Sequence, residues 1–345
     1  MDKIEVGVLG ATGMVGQQFI ARLARHPWFD VTWLAASERS EGKPYAAAAP
    51  WRLATPMPDA CRHLKVDGCV PGRGPKVVFS ALDAAAADLL EAEFAAAGHI
   101  VLSNARSFRM DPLVPLLIPE VNADHLCLLE EQRKHKGWTG ALVTNPNCST
   151  VVLAASLAPL RQFTIRSVIV STMQAVSGAG YPGVPSMDIL GNVIPFIGGE
   201  EEKMESETLK ILGTDGGRTP YRAIISAHTN RVPVIDGHTM TVSVAFESQP
   251  SVDDVSEALR SFRGRPQDLK LPTAPDPAIV VSDQPNRPQP RLDAGLGDGM
   301  AITVGRVRTC PVLSTKFVAL GHNTIRGAAG ASILNAELMH AEEML

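Results

Sequence analysis

The sequence predicts an α/β protein of two domains, in which a doubly wound parallel sheet is followed by a mixed sheet. Three observations predict this fold class. The chain has 345 residues, more than one typical domain. Its first half alternates apolar strand-like runs with helical patterns, the arrangement that builds a parallel sheet. Its second half joins strand-like runs with few helices between them, which predicts an antiparallel or mixed sheet.

The first half begins with an apolar run that leads into a glycine-rich turn and then into a helical spacing of apolar residues over 14–24. An alanine-rich helix is predicted at about 84–97. Residues 41–76 have little pattern and are rich in Pro, Gly and Ala, so a loop with one short helix is predicted there. The predicted strands of this half are residues 4–9, 29–36, 77–80, 100–103 and 141–143.

The second half contains five strand-like runs, and a proline-rich loop is predicted over 271–290. Helices are predicted at 148–160 and 252–262, and the last run, 327–345, has the spacing of an amphipathic helix. The predicted strands are residues 165–173, 222–228, 238–246, 300–308 and 314–320.

Composition and charge exclude several functional classes. The chain has 32 Lys and Arg against 36 Asp and Glu, and this mildly acidic balance without a basic stripe argues against a nucleic-acid partner. No run of uncharged apolar residues is long enough to span a membrane, and the first residues lack a secretion signal pattern. The five cysteines form no C-x-x-C pair, which argues against a metal site and indicates reduced thiols in the cytoplasm.

A glycine-rich motif follows the first predicted strand. Gly7, Gly10, Gly13 and Gly16 recur every three residues where the strand ends and the helix begins. In this context glycine permits a tight turn, the close approach of a pyrophosphate and the binding of an anion at the helix N-terminus. The motif therefore predicts a Rossmann-like dinucleotide-binding domain.

The residues at the end of the second strand indicate which dinucleotide the protein binds. Glu38 could accept a hydrogen bond from a ribose 2′-hydroxyl and favour NAD, whereas Arg39 with Ser37 and Ser40 could hold a 2′-phosphate. A guanidinium and two hydroxyls suit a phosphate better than a free ribose. We therefore expect NADP.

Cys148 is the candidate nucleophile. It follows a predicted strand and opens a helix, where the helix dipole and unpaired backbone N–H groups favour thiolate over thiol. The neighbouring amides could also stabilise an oxyanion. The other four cysteines, at positions 61, 69, 127 and 310, lack such a context.

A thiol nucleophile next to a nicotinamide predicts aldehyde oxidation through a thioester, which water, phosphate or coenzyme A then cleaves. This chemistry needs an acid/base group. His238 is the candidate because it follows an Asp-Gly turn at the start of a strand, seven residues after Arg231. His228 competes with it.

Motifs along nearly the whole chain resemble those of the aspartate-semialdehyde dehydrogenase family, in its archaeal and fungal branch. The resemblance is carried by residues 7–16, 37–40, 103–110, 145–150, 174–180, 198–203, 230–239 and 322–327. It implies the reversible NADPH-dependent reduction of β-aspartyl phosphate to aspartate semialdehyde and phosphate, in lysine, threonine and methionine biosynthesis.

The resemblance also implies roles for individual residues. Cys148 resembles the nucleophile, His238 the acid/base and Gln174 a group that orients the acyl carbon. Substrate-binding residues are implied at Arg231 for the carboxylate, Glu200 for the amine, Lys203 and Arg109 for phosphate, and Asn147. Cofactor-binding residues are implied at Gly10, Thr12, Gly13, Met14, Val15, Ser37, Arg39, Ser40, Ser80, Ser177, Gly178 and Asn323.

Some choices stay open at this point. Glu201 or Glu202 could replace Glu200, and Arg106 could replace Arg109. A malonyl-CoA reductase would use the same scaffold with coenzyme A as the leaving group, and a non-catalytic NADP sensor would need no reactive thiol. The expected layout is an NADP-binding domain (1–147), a catalytic and dimerisation domain (148–322) and a C-terminal helix (323–345) that returns to the first domain. The resemblance implies a homodimer or homotetramer.

Overall fold

The computed structural model describes residues 3–345, which form two sheets of six strands each. The strands are β1 (Ile4–Leu9), β2 (Phe29–Ala36), β3 (Val66–Gly68), β4 (Val77–Ser80), β5 (Ile100–Ser103), β6 (Ala141–Thr144), β7 (Ile165–Gln174), β8 (Ile224–Arg231), β9 (His238–Phe246), β10 (Ile279–Ser282), β11 (Ile302–Thr309) and β12 (Thr315–Gly321). The α-helices are α1 (Met14–Leu23), α2 (Tyr45–Ala48), α3 (Asp59–Arg62), α4 (Ala84–Ala96), α5 (Pro119–Asn122), α6 (Leu128–Lys136), α7 (Cys148–Leu157), α8 (Ser186–Ile189), α9 (Glu200–Leu212), α10 (Val252–Arg260), α11 (Arg265–Asp268), α12 (Pro290–Asp293) and α13 (Gly330–Ala341).

The described chain divides into two compact units. Unit 1 contains the described residues up to 117 together with residues 124–145 and 328–345. Unit 2 contains residues 118–123 and 146–327.

Unit 1 is built on a parallel sheet with the strand order β3-β2-β1-β4-β5-β6. Its central strands are buried on both faces, as their continuous apolar sequences predict. The order reverses on either side of β1, so the carboxyl ends of β1 and β4 face a topological switch point, the usual ligand position in doubly wound folds. The predicted fold class is confirmed for this half.

Unit 2 is built on a mixed sheet with the strand order β10-β11-β12-β9-β7-β8. β7 pairs antiparallel with β9 but parallel with β8, and β10 pairs parallel with β11. Helix α7 is buried from Ser149 to Leu157, consistent with its almost continuous apolar sequence. The predicted mixed sheet is also confirmed.

Several predicted elements differ in detail. Residues 41–76 contain two short helices and the edge strand β3, and the proline-rich stretch contains β10. Both short strands lack a period-2 pattern long enough to be detected. The prediction of an amphipathic C-terminal helix was wrong, because α13 is buried at every position from Gly330 to Met339. Its polar residues Asn335 and Glu337 make buried hydrogen bonds instead of facing water.

Within the described residues, no helix combines the length and the apolar character that a membrane span requires. Those residues also contain no cluster of three or more His, Cys, Asp or Glu side chains placed to hold a metal ion.

Candidate active site

The glycine-rich turn of unit 1 is shaped for close backbone approach. Gly10 has φ +70°, and a Cβ there would lie 2.6 Å from the carbonyl oxygen of Ala81. Gly13 is the N-cap of α1 and has no side chain that could cap the helix. The first backbone N–H groups of α1 therefore face outward without a side-chain cap. This arrangement fits the pyrophosphate of a dinucleotide. Thr12, Met14 and Val15 are half-buried around it.

Two residues that the sequence analysis missed hold this turn in place. Gln17 is fully buried, and its side-chain amide donates to the carbonyl of Thr12 at 3.0 Å. Tyr45, from the stretch predicted as a loop, donates its hydroxyl to the carbonyl of Ala11 at 2.9 Å. Burial raises the pKa of Tyr45, so the hydroxyl remains a donor. Neither side chain carries a sequence signal, because each contributes only through tertiary contact.

The segment after β2 forms a tight turn in which the Ser40 N–H donates to the carbonyl of Ser37 at 2.8 Å. Ser40 is buried, whereas Glu38 and Arg39 are both exposed. The side chains proposed for cofactor selection are therefore presented together at the end of β2. Ser80 lies buried at the end of the adjoining strand β4.

Cys148 lies at the N-terminus of α7 in unit 2 and is half-buried. Its Sγ lies 3.2 Å from Nε2 of His238, which is the first residue of β9 and is fully buried. The positive φ of Gly237, +97°, allows the turn that places this histidine. Two residues 90 positions apart are thus brought into direct contact at the start of a helix.

His238 is held from its other side by the backbone. The N–H of Ala175, just after β7, donates to Nδ1 of His238 at 3.1 Å. Burial, together with the positive charge of Arg231 and the nearby His322, lowers the pKa of His238 to about 3. The imidazole is therefore neutral at physiological pH.

Arg231 ends β8 beside Gln174, its neighbour in register at the end of β7. Its Nη1 donates to the carbonyl of Ala175 at 2.7 Å. Burial lowers the pKa of this guanidinium, although the negative charges of Cys148 and Glu200 act in the opposite direction. The side chain nevertheless remains positively charged at neutral pH, since arginine ionises far above that range.

Asn147 caps α7 with its side chain. Its Oδ1 accepts hydrogen bonds from the N–H groups of Ser149 and Thr150 at 2.9 and 3.3 Å. Its Nδ2 donates to both carboxylate oxygens of Glu200. Two of the amides expected to stabilise an oxyanion are therefore already paired, and the Asn147 side chain serves as a helix cap.

The three adjacent glutamates have different surroundings. Glu200 is buried, faces Asn147 and pairs with Lys203 at 2.9 Å. Glu201 accepts from the N–H of Thr229, and Glu202 is exposed. The geometry thus brings Glu200, the residue chosen from sequence, to the N-terminus of α7, where Cys148 lies.

Glu207, two turns further along α9, was missed by the sequence analysis. It is buried and accepts the backbone N–H of Asn147 at 2.7 Å. Its helical spacing of seven from Glu200 could have indicated a shared face.

Two protein-family models match this chain. The NAD binding domain of the semialdehyde dehydrogenases matches residues 5–129, and their dimerisation domain matches residues 157–326. An aspartate-semialdehyde dehydrogenase of Archaeoglobus fulgidus is 52% identical to this chain. The alignment covers 99% of this chain and 100% of the Archaeoglobus protein. The chain belongs to the aspartate-semialdehyde dehydrogenase family.

Solved structures of this family are similar to this chain in fold. The Candida albicans aspartate-semialdehyde dehydrogenase, crystallised with NADP, is 42% identical over the full length of both chains, with a TM-score of 0.91. The Vibrio cholerae aspartate-semialdehyde dehydrogenase II, crystallised with ASA, is 26% identical over 99% of both chains, with a TM-score of 0.78. The resemblance seen in the sequence, to the archaeal and fungal branch of the aspartate-semialdehyde dehydrogenases, is confirmed.

Three further residues that resemble cofactor positions of this family lie in unit 2. Asn323 donates to the hydroxyl of Ser177 at 2.7 Å and accepts the N–H of Gly237 at 2.8 Å. A Cβ at Gly178 would lie 2.9 Å from Nη1 of Arg231 and from Cε1 of His238. Asn323 and Gly178 therefore border His238 and the turn that precedes it.

Arg109 belongs to unit 1 and is buried, with its Nη2 donating to the carbonyl of Asn104 at 2.8 Å. Arg106, the alternative candidate for the phosphate-binding arginine, is exposed. His228, the alternative candidate for the acid/base group, is an exposed residue of β8. His238, by contrast, contacts Cys148 directly.

Proposed function

We propose that this chain catalyses the reversible NADP-dependent interconversion of aspartate 4-semialdehyde plus phosphate and β-aspartyl phosphate, through a thioester on Cys148. The observation that carries the proposal is the contact of 3.2 Å between Cys148 Sγ and His238 Nε2 at the N-terminus of α7. A sulfur beside a fixed imidazole and a helix N-terminus is suited to nucleophilic attack on a carbonyl.

In the oxidative direction, the Cys148 sulfur adds to the aldehyde carbon, and the carbonyl electrons move to oxygen. When bound, NADP supplies the hydride acceptor and NADPH the hydride donor. Loss of hydride from the former aldehyde carbon leaves a thioester on Cys148. Phosphate attacks that carbon and displaces the sulfur as thiolate, which restores the nucleophile. His238 is the acid/base group at the sulfur, and Gln174 orients the acyl carbon.

The substrate groups are assigned to charged side chains. Arg231 binds the substrate carboxylate, for which its planar fork is suited, and Glu200 receives the amine. Lys203 and Arg109 bind phosphate. Asn147 supports this set by linking the helix cap to Glu200.

Cofactor binding is assigned mainly to residues 1–147 as the NADP-binding domain, with 148–322 as the catalytic and dimerisation domain and 323–345 as the returning C-terminal segment. The Candida albicans relative crystallised with NADP supports this cofactor. The pyrophosphate would lie on the turn formed by Gly10, Thr12, Gly13, Met14 and Val15, and the 2′-phosphate would lie on Ser37, Arg39 and Ser40. Ser80, Ser177, Gly178 and Asn323 are the other residues to which cofactor binding is assigned.

A homodimer or homotetramer is proposed as the working assembly, since residues 157–326 match a dimerisation domain. The sheet of unit 2 supports this because Ile169 and Ile224 are 48% and 75% exposed on β7 and β8. Exposed apolar side chains on a sheet are typical of a protein interface.

The cytoplasm is the proposed location, because none of the five cysteines forms a disulfide.

The test is a spectrophotometric assay with aspartate semialdehyde, phosphate and NADP, which we expect to produce NADPH. Cys148→Ala should abolish turnover and leave NADP binding within about twofold of the parent, since the thiol is needed for chemistry and not for the nucleotide. Turnover of malonyl-CoA without any turnover of aspartate semialdehyde would reject the proposed substrate. Loss of both turnover and NADP binding would assign Cys148 to folding.

A further inference from the structure

We infer that Glu201 and Glu205 are positioning residues that hold helix α9 in one register against strand β8. This register sets the spacing between Glu200 and Arg231. The inference rests on the proposed function, in which Glu200 receives the substrate amine and Arg231 binds the carboxylate of the same substrate. Glu201 and Glu205 act on that substrate only through the helix, and neither is assigned a contact with it.

The outer edge of β8 needs hydrogen-bond acceptors. β8 is the last strand of the mixed sheet and pairs with β7 on its other side. The outer side of such a strand presents a row of backbone N–H groups that the sheet itself does not pair. Ala227 and Thr229 are buried, so their N–H groups must find acceptors within the protein. The elements that supply these acceptors therefore fix what packs against this edge.

Two glutamates of α9 are the acceptors. Oε1 of Glu205 accepts from the N–H of Ala227 at 3.0 Å, and Oε1 of Glu201 accepts from the N–H of Thr229 at 2.9 Å. The spacings match, because four helical residues rise about 6 Å and two strand residues advance about 6.6–6.8 Å. A shift of α9 by one residue would move both carboxylates by about 1.5 Å and turn them by about 100° about the helix axis. Both contacts would then be lost together.

A third N–H group on this edge belongs to Arg231. It donates to the carbonyl of Ile194 at 2.8 Å, and the N–H of Ile194 donates to the carbonyl of Arg231 at 3.1 Å. Ile194, Glu201 and Glu205 lie in one continuous segment, residues 194–205, which we name the edge cover. The edge cover thus holds the backbone of Arg231 at one end and α9 at the other.

Two proposed substrate-binding residues lie beside these contacts. Glu200 precedes Glu201 in α9, and Arg231 follows Thr229 by two residues in β8. The negative charge of Glu200 acts on the guanidinium of Arg231, so the two groups lie within electrostatic range of each other. The ammonium and carboxylate of an α-amino acid are attached to one carbon, so the groups that bind them must keep one separation. A displacement of about 1 Å can lower a rate about 100-fold, which makes the register of α9 important for the substrate.

The first test measures the contacts without substrate, by hydrogen exchange and mass spectrometry on the full-length protein. The β8 peptide that contains Ala227 and Thr229 should exchange about tenfold faster or more in Glu201→Ala and in Glu205→Ala, because each variant removes a charged acceptor. Glu201→Gln retains a side-chain oxygen that can accept, so it should exchange like the parent. Unchanged exchange in both alanine variants would overturn the inference, since the carboxylates would not be holding the edge.

The second test is steady-state kinetics. We expect the double variant Glu201→Ala/Glu205→Ala to raise KM for aspartate semialdehyde by about tenfold or more and to leave KM for NADP within about twofold of the parent. The corresponding double glutamine variant should restore KM for aspartate semialdehyde, because the amide oxygens replace the carboxylate acceptors. Glu202→Ala, at an exposed position of the same helix turn, is the matched control and should change neither value.

The outcomes separate this inference from the proposed function. A parent enzyme that does not convert aspartate semialdehyde with NADP would reject the proposed function. An active parent whose KM for aspartate semialdehyde is unchanged in the alanine variants, although β8 exchanges faster, would reject the positioning role alone and leave the glutamates with a purely structural one. If the double alanine variant does not fold, Glu201→Ala gives the same comparison, because it keeps the contact of Glu205.

Discussion

The five thiols of this chain differ because their surroundings differ. Burial raises the pKa of Cys61 to about 11 and also raises that of Cys69. Burial acts in the same direction on Cys310, but hydrogen bonds from Leu313 and Val312 outweigh it and lower its pKa. Cys310 is 7% exposed, so reagents reach it poorly. Cys148 alone among them is a half-exposed thiol beside a buried imidazole at a helix N-terminus.

At the scale of single residues, cofactor choice should depend on Arg39. We expect Arg39→Ala to raise KM for NADP by about tenfold or more and to change KM for NAD little, because a charge-assisted phosphate contact is worth about 1.5–3 kcal/mol. Steady-state kinetics with both nucleotides measures this. Glu38→Ala is the matched control on the same exposed turn. Equal increases for NAD and NADP in Arg39→Ala would remove Arg39 from the 2′-phosphate.

The neutral state of His238 should also appear in the pH dependence of stability. The unfolded chain takes up a proton on this residue below about pH 6.5, whereas the folded protein does so only near pH 3. Stability from this group is therefore complete above pH 6.5 and is lost as pH falls toward 3. One proton corresponds to about 1.4 kcal/mol per pH unit.

Denaturant unfolding at several pH values measures this dependence. His238→Asn should lose stability less steeply than the parent between pH 6.5 and 4.5, by up to that slope. His135→Asn, at an exposed position, is the control and should follow the parent. Parallel curves for parent and His238→Asn would mean that the folded protein protonates His238 as readily as the unfolded chain.

At the scale of elements, helix α7 depends on its cap. Asn147 pairs the first N–H groups of α7 through Oδ1 and reaches Glu200 through Nδ2, while Glu207 holds its backbone. Helix α7 is thereby tied to α9 at its first turn. The same contacts leave two carboxylates near the site, and Lys203 and Arg231 balance the charge of Glu200.

Removal of this cap should affect both stability and chemistry. We expect Asn147→Ala to lower the free energy of unfolding by about 1–3 kcal/mol, because it removes the cap and leaves Glu200 with fewer partners. The rate of Cys148 alkylation should fall as well. Ser251→Ala removes the capping box of α10 and should cost about 1 kcal/mol without altering alkylation. An Asn147→Ala protein as stable and as reactive as the parent would contradict the assigned role.

For the whole molecule, the open face of the unit 2 sheet should form the subunit contact. Ile224→Glu should weaken the assembly by about tenfold or more, because it places a charge in an apolar interface. Light scattering on a concentration series measures the oligomeric state. Leu89→Glu on α4 of unit 1, where Leu89 is 71% exposed, is the matched control and should leave the assembly unchanged. An Ile224→Glu protein that assembles like the parent would place the interface elsewhere.

The secondary structure was predictable from sequence where a pattern was long. β1, β2, β4, β5 and β9 lie at their predicted bounds, since apolar runs and turn residues mark them. Helix α9 was missed because its first turn, Glu200–Lys203, resembles an exposed charged segment. The buried character of α13 was misread, because polar residues such as Ser332, Asn335 and Glu337 gave it an apparent polar face. Only their tertiary partners make these residues part of a core.

The sequence by itself determined the two sheets, the glycine-rich turn and the thiol at the start of a helix, because these depend on local periodicity and on short-range backbone geometry. The tertiary structure alone decided which of three adjacent glutamates approaches Asn147, and that Glu207, Gln17 and Tyr45 support the two sites. It also decided how His238 is held, because Nδ1 of this residue accepts from a backbone N–H 63 residues away, and a contact between distant positions leaves no pattern along the chain.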